Sequence, residues 1–176
     1  MSETPFSKSP YTLFSDHPRT RVEHNRVATA VVYCEANFGA VDGKTANHDL
    51  TCLALNIYHE ARGEPEKGKR AVAKVTLNRV RSKRFPNTIC EAVYEQRWDK
   101  RRRRYVGAFA WTEFDALPPP KSKQWKKAWK AAETVYLNPE SVQLKGALFY
   151  HATRIKPRWA KQKKRIKRIG RHIFYR

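Results

Sequence analysis

The chain lacks an uninterrupted apolar run long enough to cross a bilayer. Its most apolar early stretch, Val27–Val41 (VATAVVYCEANFGAV), is broken by Glu35 and Asn37 and falls short of the roughly 20 residues a spanning helix needs. The pattern predicts a helix there, ending at Gly39 or Gly43 and packing onto the main domain. The opening residues also lack a basic start running into an apolar core, so no signal peptide is expected. Glycine is scarce, at 7 residues, and none builds a phosphate-cradling loop or a Gly-x-Ser-x-Gly elbow. Cys34, Cys52 and Cys90 show no metal-ligand spacing, and an odd count without a signal predicts reduced thiols made in a cytoplasm. His59-Glu60 begins like a zinc-protease helix, but the second histidine is missing, because position 63 is Gly63. No metal and no cofactor are expected.

Acidic residues are also few. Lys and Arg number 37 against 16 Asp and Glu, a formal net charge of +21. Such a field attracts polyanions of every kind: nucleic acid, anionic lipid or lipopolysaccharide, and acidic wall polymers. Charge alone selects none of them. At 176 residues and 40% hydrophobic content, with 5 Trp and 8 Phe, the chain is long and apolar enough for one domain with a real core. Residues 1–21 are polar and dotted with Pro5, Pro10 and Pro18, which reads as a loosely packed arm.

The informative stretch is Leu53–Arg70, LALNIYHEARGEPEKGKR. At helical spacing Leu50, Leu53, Ile57 and Ala61 share one face, and Glu60 follows Ile57 by three and Leu53 by seven. An acid at the edge of an apolar stripe loses water, its pKa rises, and it becomes able to donate a proton near neutral pH. The alternative is an ordinary helix-end glutamate, which spacing alone does not exclude. Gly63 can end the helix, and Pro65 suits the first turn of the next one.

These residues carry a resemblance. IYHEARGEPEKGKRAVAKVTLNRV resembles the opening motif of the SleB/CwlJ cell-wall hydrolases, the spore-cortex-lytic enzymes and their phage relatives. The motif reads Tyr58, His59, Glu60, Ala61, Arg62, Gly63, Glu64, then Leu77, Asn78, Arg79, Val80. FPNTICEAVYEQ, FAW, GALFYHA, Pro157-x-Trp159 and IGRHIF follow in the same order, so the resemblance spans roughly Leu50 to Phe174. It implies a lysozyme-like fold: α+β, mainly helical, with a two- or three-stranded β element near the C-terminus. It divides the chain into an arm and helix, 1–45, and a catalytic domain, 46–176. It also implies cleavage of peptidoglycan between N-acetylmuramic acid and N-acetylglucosamine by a lytic-transglycosylase route with Glu60 as the single catalytic residue.

The rest of the chain supplies the walls. A helix is predicted over 65–81, with Lys67, Lys69, Arg70, Lys74 and Arg81 facing water. Thr88 with Glu91 forms a capping box, starting a helix through Val93 toward Gln96, with Cys90 a small buried hydrophobe. Members of that family run here from a glutamine directly into a short aromatic motif, whereas this chain has Gln96, then the basic stretch Asp99–Tyr105, either a wall- or phosphate-binding loop or a solvated hairpin tip, and then Phe109-Ala110-Trp111. Leu117–Pro120 is a stiff connector. Ser122–Leu137 carries Trp125, Ala128, Trp129, Ala132, Val135 and Tyr136 on one apolar stripe. Gly146–His151 and His172–Tyr175 are short strands that could pair, and Lys161–Arg168 reads as a solvated basic face.

The candidate substrate contacts are Tyr58, Arg62, Glu64, Asn78, Gln96, Phe109, Trp111, Tyr150 and His151. The resemblance implies that Asn78 helps shape the site floor, where by itself it reads as a surface or capping group. Phe109 and Trp111 would be core aromatics or a sugar platform, with Trp111 favoured to line the cleft, and Glu64 would contact substrate or pair with Arg62 or Arg70. Asp49, Glu95 and Asp115 are the candidate second acids. The function read here is a phage endolysin degrading peptidoglycan. It would be monomeric, be made in the host cytoplasm, and act at the wall or periplasm, where its basic surface could contact the outer membrane or wall polymers. A muramidase working by hydrolysis is one alternative. A basic nucleic-acid-binding protein is the other, although no specific nucleic-acid motif appears.

Overall fold

The structure, a computed structural model, describes residues 44–114 and 122–176. The arm, the 27–41 helix, the 117–120 connector, Cys34 and Asp115 lie outside these residues. At the centre is α1, Lys44–Ala61. Leu53, Ala54, Leu55, Asn56 and Ile57 are each 0% exposed. The predicted one-faced helix is therefore buried on all sides, because three other helices enclose it: α2 (Glu66–Val80), α3 (Ile89–Tyr94) and α4 (Lys123–Leu137). Between α1 and α2 the chain turns through Ala61–Pro65, where Glu64 N donates to Ala61 O at 2.9 Å.

The α2 helix is apolar on two flanks. Val72, Ala73 and Leu77 join the α1 core, while Ala71 and Val75 join Leu144, Ala147 and Phe174 in a second cluster beneath the C-terminal sheet. Little of α2 is left for water, so two lysines expected on its wet face are buried: Lys69 at 4% and Lys74 at 2% exposure. Their ammonium groups donate to the carbonyl of Glu64 and to Pro139 O respectively, which satisfies the charge locally.

The expected cap of α3 is present, and Ser122 adds one at the start of α4. Thr88 Oγ1 accepts from Glu91 N at 3.3 Å at the start of α3, and Ser122 Oγ accepts from Trp125 N at 3.1 Å at the start of α4. The α3 helix stops at Tyr94, short of Gln96, which begins a hairpin instead. Its strands are β1, Gln96–Asp99, and β2, Arg104–Gly107. The inserted basic turn is the tip of this hairpin.

A correction concerns the cysteines. Cys52 on α1 and Cys90 on α3 form a disulfide, with Cα atoms 5.3 Å apart, in place of the expected reduced thiols. They are 38 residues apart, so only the packing of α1 on α3 brings them together. His48 Nδ1 lies 3.1 Å from Cys90 Sγ, but both sulfurs of this trio are spent on the bridge.

Near the C-terminus β3 (Phe149–Ala152), β4 (Arg165–Ile169) and β5 (His172–Tyr175) form an antiparallel sheet in the order β3-β5-β4. The two expected strands pair, Tyr150 opposite Phe174. The basic run read as a solvated face contributes a third strand, β4, at the edge of the sheet. Charged side chains suit that position, since they discourage pairing with another chain. Among the described residues no helix is long and apolar enough to cross a membrane.

Candidate active site

Glu60 sits in the last turn of α1, where the helix leaves the core. Its carboxyl Oε2 accepts a hydrogen bond from Tyr150 Oη at 3.1 Å. Tyr150 belongs to β3, 90 residues later in the chain, so this contact exists only once the sheet has docked on the helices. Burial pushes the Glu60 carboxyl above its ordinary range, and it outweighs the Tyr150 hydrogen bond and the positive charge of Arg79, which pull the other way. Burial, with the Glu60 carboxylate beside it, holds the Tyr150 phenol well above its usual value, so it stays a donor.

Arg79 was not among the expected site residues, although it stands in the Asn-Arg-Val motif. It is 7% exposed and packs over the rings of Phe109 at 4.8 Å and Phe85 at 5.2 Å. Its Nε donates to Leu148 O at 2.9 Å, the residue just before β3. One guanidinium thus fixes the root of the strand that carries Tyr150 and places a positive charge near Glu60. Asn56 and His59 were missed as well. Asn56 Nδ2 donates to Thr76 Oγ1 at 3.1 Å, and its Oδ1 accepts from Trp111 Nε1 at 3.1 Å. The indole of Trp111 stacks on His59, centroids 4.4 Å apart and planes 12° from parallel. A fully buried asparagine in an apolar helix is the signal that could have exposed this network.

The structure groups Glu60, Tyr150, Phe109 and Trp111 and spreads the other expected residues around them. Phe109 is buried, 6.5 Å from the ring of Tyr150. Tyr58 is buried against Trp125, and Arg62 lies over its ring at 5.4 Å. Gln96 is half-buried at the start of β1.

Three residues sit apart from the group. Asn78 donates to Leu144 O at 2.8 Å and Ala147 O at 3.0 Å, fastening the segment that leads into β3. His151 lies on the opposite face of β3 from Tyr150, as strand alternation requires. There its Nε2 meets Tyr175 Oη at 2.9 Å.

Glu64 pairs with neither Arg62 nor Arg70. Its Oε2 accepts from Arg171 N at 2.9 Å and its Oε1 from Arg171 Nε at 2.7 Å. Burial pushes this acid upward, but the donors of Arg171 and the nearby His172 prevail and hold it below the ordinary carboxylate range. Gly170 is fitted to the same clamp. Its φ of +57° favours glycine, and a Cβ there would collide with the Glu64 carboxylate.

Of the candidate second acids, Glu95 ends α3 and bonds Arg97 at 2.8 Å, with Arg79 nearby. Asp49 lies eleven residues before Glu60 on α1, about 16 Å along the axis at the usual helical rise. It lines a separate cavity of about 250 Å³ with Val80, Thr88, Tyr136 and Pro139, away from the Glu60 group.

The sequence model of the family described as cell wall hydrolase matches residues 63–175, beginning three positions after Glu60. The chain belongs to the cell wall hydrolase family. The spore cortex-lytic enzymes of Bacillus subtilis and Bacillus cereus are each 31% identical, over 138 and 137 residues. Those stretches are 75% and 73% of this chain but 39% and 44% of the two enzymes. The family's solved structures include the catalytic domain of the germination-specific lytic transglycosylase SleB of Bacillus anthracis. It is 32% identical at a TM-score of 0.55, covering 73% of this chain and 93% of that one. The catalytic domain of Bacillus cereus SleB matches at the same identity and TM-score, with 89% of it covered. The mainly helical, lysozyme-like α+β architecture expected from the resemblance is the one these domains share with this chain.

Proposed function

We propose that this domain cleaves the glycosidic bond between N-acetylmuramic acid and N-acetylglucosamine in peptidoglycan, as a lytic transglycosylase with Glu60 as its acid and base. The observation that carries the reading is the Glu60 carboxyl itself: half-buried, raised in pKa, and held by a phenol that remains a donor. Protonated Glu60 donates to the glycosidic oxygen as the bond to the muramic C1 breaks. The carboxylate left behind is stabilised by the Tyr150 hydroxyl and by the positive charge of Arg79. It then takes the proton from the muramic 6-hydroxyl as O6 closes on C1. Glu60 is restored, an anhydro end forms, and no water is consumed.

One carboxylate suffices for that sequence. Hydrolysis would call for a second; of the described candidates, Asp49 lies far along α1 and Glu95 bonds Arg97 through one oxygen. The role proposed for the protein is that of a phage endolysin, monomeric, reaching the wall after synthesis in the host. Its +21 charge supports contact with an anionic outer surface. Lysis of intact cells should then weaken as magnesium is added, and magnesium-independent lysis would remove that part of the proposal.

The decisive experiment is mass spectrometry of purified peptidoglycan after digestion. Wild type should release anhydro-muropeptides, and Glu60→Gln should lower the rate by about a thousandfold or more, a loss of about 4 kcal/mol of transition-state stabilisation. Reducing muramic ends would establish hydrolysis instead. A Gln variant that still cut at full rate would remove Glu60 from the mechanism.

A further inference from the structure

The β1–β2 hairpin presents aromatic surface and positive charge together, at the edge of the Glu60 site. Trp98 and Tyr105 oppose each other in the strand register, with ring centroids 5.2 Å apart and planes at 66°. Trp98 is 51% exposed, so about half of the indole meets water while Tyr105 packs against it. Beyond this pair the turn is closed by Asp99, whose Oδ1 accepts from Arg101 N at 2.8 Å and Arg102 N at 3.1 Å. Arg103 adopts φ 50°, a left-handed backbone that glycine or asparagine occupies at lower cost. Arg104 and Arg102 are answered by Glu113 and Asp99. Among the described residues no carboxylate pairs with Lys100, Arg101 or Arg103.

The hairpin also grows out of the site wall. Its closing residue Gly107 leads to Ala108, whose N donates to Glu95 O at 2.7 Å, and then to Phe109 beside Tyr150 and Trp111 on His59. Two residues of extended strand, about 7 Å, separate Gln96 from Trp98. Phe109 and Trp111, the aromatics grouped with Glu60, thus follow directly on the second strand of the hairpin.

We propose that the hairpin is an accessory glycan-binding arm. Trp98 stacks on a sugar ring outside the cleavage position, while Lys100, Arg101 and Arg103 bind the carboxylates of the peptide stems. This rests on the peptidoglycan reading above. An indole face matches the C–H face of a pyranose, and guanidinium groups match carboxylates. A membrane anchor would be built in the reverse order. Here the charged tip projects furthest and would hold the aromatic pair back from the acyl boundary.

The test is co-sedimentation with purified sacculi and with stem-free glycan strands, in Glu60→Gln protein so that substrate persists. Adding Trp98→Ala should weaken binding to both by about tenfold, or 1.4 kcal/mol. Adding Arg103→Gly should weaken binding to stem-bearing sacculi only, by about threefold, while the thermal midpoint stays level or rises as the turn relaxes. Unchanged sedimentation in both variants would overturn the proposal. So would a Trp98→Ala loss seen only on phosphatidylglycerol vesicles or on DNA. A lowered midpoint in Arg103→Gly would make that arginine structural and end its stem-binding role. Failure of the glycosidic reading shows separately, as wild-type protein that leaves sacculi uncut.

Discussion

The two β elements of this domain are close in strand length and opposite in attachment. The C-terminal sheet is bolted to the helices at several points: Glu64 to Arg171, Arg79 to Leu148, and Asn78 to the two carbonyls ahead of β3. Phe174, on its central strand, is fully buried. The β1–β2 hairpin is held at its base, where Glu113 meets Gly107 N and Arg104. The difference matches the roles proposed above for the two elements. A residue that hydrogen-bonds a catalytic carboxyl must hold its position within a fraction of an ångström. A residue that stacks on a flexible polymer gains from being exposed. Rigidity is concentrated where Tyr150 needs it.

Three perturbations separate these attachments. The largest effect is expected from the disulfide, which ties α1 to α3 immediately ahead of the hairpin. Loop closure over 38 residues contributes about 4 kcal/mol. Cys90→Ala should cost most of that in denaturant unfolding, and exchange protection should fall first in α3 and the hairpin, later in the sheet. Uniform loss would show that the two β elements share one unit of stability.

Next comes the clamp. Glu64→Gln weakens charge-assisted bonds to Arg171, at a cost of about 2 kcal/mol. It should also slow cleavage by letting β3 drift from Glu60. Because the Glu64 acid is held low in the fold, its stabilisation is present above the ordinary carboxylate range and is lost as pH falls through the folded value. The Gln variant should therefore lose the part of the acid destabilisation that Glu64 causes. Glu60 has the opposite sign. Its pKa is raised by burial, so its ionisation destabilises the fold as pH climbs past the ordinary range, and Glu60→Gln should match or exceed wild-type stability at neutral pH. Two glutamates four residues apart would thus show contrasting stability profiles.

Much of this was legible in the chain. Thr88 announced its helix through local capping chemistry, the 122–137 helix showed in its apolar stripe, and Glu60 stood out as an acid at an apolar edge. What stayed hidden depends on contacts between distant segments. Nothing near Glu64 points to Arg171, 107 residues on, and nothing near Cys52 points to Cys90. Lys69 and Lys74 read as solvated because helical periodicity assumes one buried flank, and α2 has two. His151 stands among the expected substrate contacts beside Tyr150, although alternation in a strand sends neighbours to opposite faces. The basic run that became β4 shows no apolar alternation of the usual kind, since an edge strand is selected as much for charge as for burial.

The smallest effect, and the one that tests the bolted sheet most directly, is Tyr150→Phe. It removes one hydroxyl from β3 and leaves the ring in place, so stability should change by about 1 kcal/mol. The hydroxyl favours the ionised form of Glu60, and its loss should raise the Glu60 pKa further. In the proposed mechanism Glu60 must be protonated to begin the reaction, so activity should fall as pH rises through that pKa. The alkaline limb of the rate profile should therefore move to higher pH in Tyr150→Phe, while the maximal rate drops as the nascent carboxylate loses a donor. Following anhydro-muropeptide release from pH 5 to 9 in both proteins measures this. A lower rate with the limb unmoved would mean that Tyr150 serves packing alone, and that docking the sheet on the helices does nothing to tune the acid.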